Sequence, residues 1–331
     1  MDLWHDVVDQ YREFAAQAAD SSTFAAWSTA VADDPEVLDW LSTLPRAKQQ
    51  PNLVFAAARV HGVPAPGPYT ALRAALLDDG PDGPIRATVL ERSTQTNEVG
   101  RLATLVPAFA QLSARHGGAA LSLLEVGSSA GLCLYPDRYT YRWRTDDGDV
   151  VVGAGPELPC RVKGWAPLPQ EVPPVAARRG IDLHPLDPTS SDDAAWLEAL
   201  VWPEHGDRRA RLRQAIDVAR TDPPHVVRGD LLDELPRQVE QAAADGPVVV
   251  FHSAVAAYLD DAQRGAFDTL VRGLVAEGAC HWVSNESANV LSSVTSTGPL
   301  PESGRPTFVL GVDGRSVAWT HGHGRTLRWL T

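Results

Sequence analysis

Lysine is almost absent: Lys48 and Lys163 are the only two in 331 residues, and basic groups total 29 against 42 acidic ones. The formal net charge of −13 opposes a phosphate backbone, so general nucleic-acid binding is not expected. The one dense basic run, Arg208, Arg209, Arg211 and Arg213, reads as a solvated helix face. Cysteine is scarce as well. Cys133, Cys160 and Cys280 are odd in number and widely spaced, which excludes a disulfide framework or a paired metal-ligand motif. Reduced thiols in a cytoplasmic protein are the plain reading. The first residues, Met1 to Asp6, have neither the basic start nor the apolar segment of a secretory signal. No apolar run approaches the roughly 18 residues of a membrane helix, so no membrane partner is expected.

What is present fits an ordered globular chain. Hydrophobic residues make up 44% and charged residues 21%, and the length suggests about two domains. Residues 1–118 read as a helical domain. Trp4, Val7, Val8, Tyr11, Phe14, Ala15 and Ala18 recur at helical spacing. Asp34-Pro35-Glu36 is a helix start, with a capping carboxylate before proline at the first position. Pro51 opens another helix, which Gly62 ends. A short helix over Leu72 to Leu77 follows. A longer helix is expected from about Thr96 toward His116, with Pro107 kinking or splitting it. Trp4, Trp27 and Trp40 fall on apolar faces and read as core.

From residue 119 the texture changes to α/β. Leu121 to Val126 reads as a buried parallel strand. Alternation of Tyr139, Tyr141 and Trp143 with polar residues, then Asp147-Gly148 and Val150 to Val152, signals an inserted β-hairpin near 139–165. The proline-rich stretch from Pro156 to Pro174 reads as loop. Strand candidates then recur at 180–183, 225–228, 248–251 and 281–284, with helices between them at 194–200, 208–219, 231–243 and 261–276. Such alternation builds crossover units and a parallel sheet. Segments at 307–310, 316–319 and 326–329 are joined by tight glycine turns and should pair antiparallel. His321 and His323 lie in the last of these turns, as a hairpin tip rather than a metal site.

In an open parallel sheet the ligand lies beyond the carboxyl ends of the strands, where the strand order reverses. The first strand ends in Glu125-Val126-Gly127-Ser128-Ser129-Ala130-Gly131. Gly127 allows a tight turn and close approach. A helix beginning here would offer free N–H groups to a ligand's polar end. Glu125 suits an ammonium or hydroxyls and is a poor neighbour for a pyrophosphate. The loop also lacks the second glycine of G-x-G-x-x-G and the lysine of a phosphate loop. The segment Phe251 to Val255 lacks the glycines of a nucleophile elbow, which argues against a serine hydrolase.

Residues 119–331 resemble the class I S-adenosylmethionine-dependent methyltransferases. The resemblance implies a Rossmann-like methyltransferase sheet of parallel strands with an antiparallel C-terminal hairpin, added to the N-terminal α-helical domain. It implies S-adenosylmethionine as cofactor, with Gly127, Ser128 and Gly131 along its methionine part and Glu125 at its polar end. Asp182 in Gly180-Ile181-Asp182-Leu183 resembles the acid that holds the ribose, with Asp187 as an alternative. Asp230 in Arg228-Gly229-Asp230 resembles the acid that meets the adenine. The whole chain also resembles a bacterial family, domain of unknown function 2332. That likeness rests on 95–101, Glu125 to Leu132, Gly180 to Asp187, Val226 to Asp230, Phe251 to Val255 and Ser284-Asn285-Glu286.

The remaining candidates follow from position. His252 ends the fourth strand and is expected either to take a proton from a hydroxyl or carboxyl acceptor as the catalytic base or to be a core histidine hydrogen-bonded to a neighbouring strand. O-methylation is favoured over N-methylation, because an Asn-Pro-Pro-Tyr signature is absent. Asn97 and Arg101, in the first turns of the helix before the sheet, are expected over the cofactor. Glu98, Ser253, Tyr258, Asn285 and Glu286 are expected on the substrate side, facing a small-molecule substrate. Gly127→Val is expected to block the cofactor without unfolding the chain. The alternatives are a non-catalytic S-adenosylmethionine- or nucleotide-binding module and, further off, an NAD-dependent oxidoreductase.

Overall fold

The structure, a computed structural model, describes residues 7–95, 97–301 and 307–330. Trp4 and Thr96 lie outside the described residues. The first helices are α1 (Val7–Gln17), α2 (Ser22–Ala32), α3 (Pro35–Ser42), α4 (Pro51–Val60), α5 (Tyr69–Asp78) and α6 (Pro84–Glu91). A 3-10 turn at Val99–Arg101 leads into α7 (Leu102–Arg115) and β1 (Leu121–Val126). Next come β2 (Thr140–Thr145), β3 (Gly148–Gly153), β4 (Glu157–Val162), β5 (Val175–Asp182), α8 (Ser191–Leu200), α9 (Gly206–Thr221) and β6 (His225–Arg228). They are followed by α10 (Leu231–Ala242), β7 (Val248–Ser253), α11 (Asp261–Ala276), β8 (His281–Ser287) and the short α12 (Ser292–Thr295). Strands β9 (Phe308–Val312), β10 (Arg315–Thr320) and β11 (Thr326–Trp329) close the chain.

Two compact units share these elements: Met1–Thr96 with Ser190–Arg213, and Asn97–Thr189 with Gln214–Thr331. In the helical unit the start signals behave as read. The Asp34 side chain accepts from Glu36 N and Val37 N at the head of α3, and Gly62 ends α4 at φ 91°. The rings of Tyr11, Trp27 and Phe24 pack edge-on around Phe55, and Trp27 is fully buried. Helix α8 was read as a crossover helix of the sheet; it belongs instead to the helical unit. Arg59 donates to Ala199 O and Val201 O, Trp196 Nε1 donates to Ser93 O, and Arg92 pairs with Asp193. Glu204 accepts from Ser21, Ser22 and the Thr23 N–H at the start of α2. Sequence alternation alone does not reveal this, because an apolar face does not say which core it enters.

The second unit is mixed α/β. Its strands form one 11-stranded, mostly parallel sheet in the order β3-β2-β4-β11-β10-β9-β8-β7-β1-β5-β6. β1 pairs in parallel with both β5 and β7, and β8 pairs in parallel with β7. β5 and β7 follow β1 in the chain on opposite sides of it, so the strand order reverses between β1 and β7. The closing strands pair antiparallel, β8 with β9, β9 with β10 and β10 with β11. The expected hairpin is β2–β3. The stretch read as proline-rich loop contains a strand, β4, which pairs in parallel with β2 and β11.

Both faces of the central strands are covered, which accounts for the continuously buried run of β1. On one face Phe109 of α7 meets Phe251 of β7 edge-on at 5.3 Å. On the other, Phe267 of α11 packs edge-on against Trp282 of β8, in a core that includes Leu124, Val126, Val250 and Leu235. Burying each such side chain contributes about 1.5–3 kcal/mol. Helix α7 runs through Pro107 without a break. Proline removes the N–H that would reach the carbonyl of Ala103, and the Trp143 indole of β2 donates to that carbonyl instead, at 2.7 Å. A residue 36 positions further on thus replaces the lost helical bond.

Candidate functional site

The carboxyl edge of β1 is where the sequence departs from its expectation. No α-helix follows the glycine loop. Two 3-10 turns, Leu132–Leu134 and Pro136–Arg138, carry the chain to β2. The loop's N–H groups are used internally. Gly127 N and Ser128 N donate to Ile181 O, Ser129 N to Asp182 Oδ2 and Gly131 N to Ser128 O. The expected α-helix N-terminus therefore does not form here.

The loop's side chains come together on the α7 face. Strand alternation places Glu125 with its register neighbour Phe251, which faces α7, and places Ser253 and Asn285 on that same face. Glu125 is 7% exposed, and its Oε2 is buried with no hydrogen-bond partner. Burial pushes its carboxyl well above the usual carboxylate range; Arg101 opposes this and Asp182 adds to it. The Cys133 thiol is close enough to hydrogen-bond Glu125, and burial raises the thiol too. Ser128 and Ser129 are buried, and each has an unpartnered hydroxyl. Unpartnered buried polar atoms cost about 1–3 kcal/mol each, so such a cluster is held at the expense of stability.

Arg101, also 7% exposed, links three loops. Its Nε donates to Gly322 O at 2.8 Å and its Nη1 to Ser253 O at 2.9 Å. Asn97 Nδ2 donates to Ser128 O at 2.8 Å. Asn97, Glu98 and Arg101 were read on the first turns of a helix; all three precede it, Arg101 in the 3-10 turn Val99–Arg101, Glu98 as the cap that accepts from Gly100 N, and Asn97 just before it. Asn285 is fully buried, donates to Ser253 Oγ and accepts from Thr320 Oγ1. The loop of His321 and His323 is the β10–β11 connection, as read. It lies against the 98–101 turn so tightly that a Cβ on Gly324 would overlap the Gly100 carbonyl.

Backbone strain marks the two strand ends that flank the reversal. Ser129 beyond β1 and Ala254 beyond β7 hold φ of 53° and 59°, in the left-handed region that disfavours side chains. Gly127, at φ 67°, is less open than expected. A Cβ there would sit 2.5 Å from Val255 Cγ2, so Gly127→Val disturbs packing and does not act as a simple block. Gly131 likewise faces Pro224.

The acids of the next two strands have local duties. Asp182 accepts Ser129 N at 2.7 Å and His184 N at 2.8 Å, which places it against the glycine loop. Asp187 is tied into its own turn by Thr189. Asp230 is the N-cap of α10, accepting Leu232 N.

His252 takes the second of its two expected places, as a core histidine bonded to the neighbouring strand. It is fully buried on the α11 face, edge-on to Phe267. Trp282 Nε1 can only donate and lies 3.1 Å from His252 Nε2, so that nitrogen accepts and Nδ1 carries the proton. Nδ1–H donates to Glu286 Oε1 at 2.7 Å. Both ring nitrogens are thereby engaged, one with Trp282 and one with Glu286. Glu286 Oε1 also accepts Val255 N and Ala256 N, while its Oε2 is buried without a partner. The turn above it carries Tyr258, which is 71% exposed.

Sequence reasoning missed Cys133, Val255, Thr320, Gly322 and Trp282, because each meets the site through tertiary contact and none has a motif around it. Among the described residues no helix is long and apolar enough to cross a membrane, and no group of three or more His, Cys, Asp or Glu is placed to hold a metal. The three cysteines are free and buried.

The chain belongs to the family described as an uncharacterized protein conserved in bacteria (DUF2332), whose pattern matches residues 8–329. A search of curated proteins returned no match to it.

Proposed function

We propose that this chain binds S-adenosylmethionine at the carboxyl edge of β1, β5 and β7 and transfers its methyl group to a small-molecule acceptor, on a Rossmann-like methyltransferase sheet. The observation that carries this reading is Glu125, a buried carboxylate with one oxygen unpartnered, within reach of the buried Arg101 charge. An acid and a guanidinium held dry beside each other suit a zwitterionic amino-acid end, the ammonium toward Glu125 and the carboxylate toward Arg101. Asp182, at the end of the next strand and against the same loop, is the acid for ribose hydroxyls. Asp230 stands at the end of β6 for the adenine side.

The charge balance supports a cationic ligand over a dinucleotide. Glu98, Glu125 and Asp182 stand around this edge with Arg101. A pyrophosphate would meet mostly like charge. When bound, the sulfonium supplies an electrophilic methyl group. The residues then have to hold the ligand, align the acceptor and keep water out. His252 contributes by fixing Glu286 and the 254–256 turn, not as a base.

A non-catalytic binding module is the second reading, and the occupied nitrogens of His252 favour it. Thermal-shift titration tests the first step. S-adenosylhomocysteine should raise the melting temperature and NAD should not; stabilisation by NAD alone would overturn the reading. A single-turnover assay of methyl transfer separates enzyme from module.

A further inference from the structure

Glu286 carries a second unpartnered carboxylate oxygen that the cofactor reading does not use. It lies on the α11 face, opposite to Glu125 in strand alternation, and is 2% exposed. Its orientation is fixed by three donors on one oxygen: His252 Nδ1 at 2.7 Å, Val255 N at 2.9 Å and Ala256 N at 3.1 Å. The other oxygen, Oε2, has none. The N–H groups that hold it belong to the start of the 3-10 turn Ala256–Tyr258. That turn ends in an aromatic ring, Tyr258, 71% exposed where most large apolar side chains are covered. The same turn borders the cofactor side of the edge, where Val255 stands against Gly127 and the Ser253 carbonyl accepts from Arg101.

A desolvated carboxylate held by the same turn that carries an exposed aromatic ring is the chemistry that recognises an ammonium group. We propose that Glu286 and Tyr258 form the acceptor subsite and that the acceptor is an organic amine, which binds as its cation and gives a proton to Glu286 Oε2. The proposal rests on the methyl-transfer reading and reverses the preference for a hydroxyl acceptor. That preference rested on the absent Asn-Pro-Pro-Tyr signature and on His252 as a base, and both nitrogens of His252 are committed to Trp282 and Glu286. The balance closes without another reagent. The ammonium loses one proton to the Glu286 carboxylate and becomes a neutral nucleophile. Its nitrogen forms the new N–C bond as the S–C bond breaks, and that bonding pair stays on sulfur. The product is an N-methylammonium and a thioether, and Glu286 returns its proton to solvent.

The test is calorimetric titration with benzylammonium and with benzyl alcohol, both in the presence of S-adenosylhomocysteine. The expected result is at least about tenfold tighter binding of the cation, as a charge-assisted contact gives. In Glu286→Gln, which keeps an oxygen for the turn N–H groups, that preference should fall about tenfold. Tyr258→Ala, at an exposed position that does not threaten folding, should weaken the cation by several-fold. Both variants should bind S-adenosylhomocysteine as the parent does. Equal affinity for amine and alcohol, no binding of the amine, or a preference untouched by Glu286→Gln would overturn the amine subsite. If S-adenosylhomocysteine fails to bind the parent protein, the underlying methyl-transfer reading fails instead.

Discussion

Glu125→Gln should make the protein more stable and functionally inert. The wild-type carboxyl is buried, its Oε2 has no partner, and burial raises its proton affinity against the pull of Arg101. For an acid whose folded value is raised, folding is favoured most while the group is protonated. Stability is therefore lost as pH rises from the unfolded carboxyl's range through the raised folded value. Glutamine has nearly the same shape and cannot ionise, so the variant escapes that loss. Each tenfold rise in proton affinity that the variant escapes is worth about 1.4 kcal/mol at a pH above the raised value. For a unit of this size each kcal/mol moves the melting temperature by roughly 2–4 °C. Melting curves at pH 5 and pH 8 should show the variant gaining on the wild type as pH rises, while it loses its response to S-adenosylhomocysteine. A variant that is less stable than wild type by the same margin at both pH values would refute the reasoning, since Glu125 would then be an ordinary packed residue.

Three further outcomes follow from individual contacts. Gly127→Ala should cost about 2–4 kcal/mol, from the left-handed φ and the collision with Val255, and adding Val255→Ala should recover only the collision part in a double-mutant cycle. His252→Leu orphans the Trp282 indole and removes one donor from Glu286, so the unfolding free energy from denaturant titration should drop by roughly 1–3 kcal/mol while affinity for S-adenosylhomocysteine holds; lost affinity would return His252 to the ligand. In the helical unit, hydrogen bonds from Ser21 and Thr23 outweigh the effect of burial and bring the Glu204 carboxyl down to about 2. Its folded value is depressed, so its contribution is present above the ordinary carboxyl range and fades as pH falls toward about 2. Acid titration of the helical signal should show that loss in wild type and not in Glu204→Gln.

The strands were legible where hydrophobicity is continuous. β6, β11 and α11 have the bounds their sequence patterns imply, because turn residues and capping carboxylates lie next to them. β4 was not legible: Pro156, Pro159 and Pro174 pointed to loop, yet the segment sits where only alternate residues are buried. The unbroken α7 could not be read either, since the bond that replaces the one lost at Pro107 comes from Trp143. At the site, Glu125 was read from its strand-end position, Asp182 from the motif around it and Arg101 from its place ahead of the first strand, all of which is local information. The role of His252 depends on Trp282 and Glu286, residues 30 and 34 positions away on the neighbouring strand, and register is not encoded at the histidine itself.

The most direct test of the central claim, that a cation settles against the Glu125 carboxylate, is a proton count. S-adenosylhomocysteine is titrated calorimetrically at fixed pH in two buffers of different ionisation enthalpy. Because burial holds the free carboxyl protonated to higher pH, binding should release a fraction of one proton per ligand, and Glu125→Gln should abolish that release along with the affinity. Absence of binding, or the same proton release from Glu125→Gln, would contradict the account.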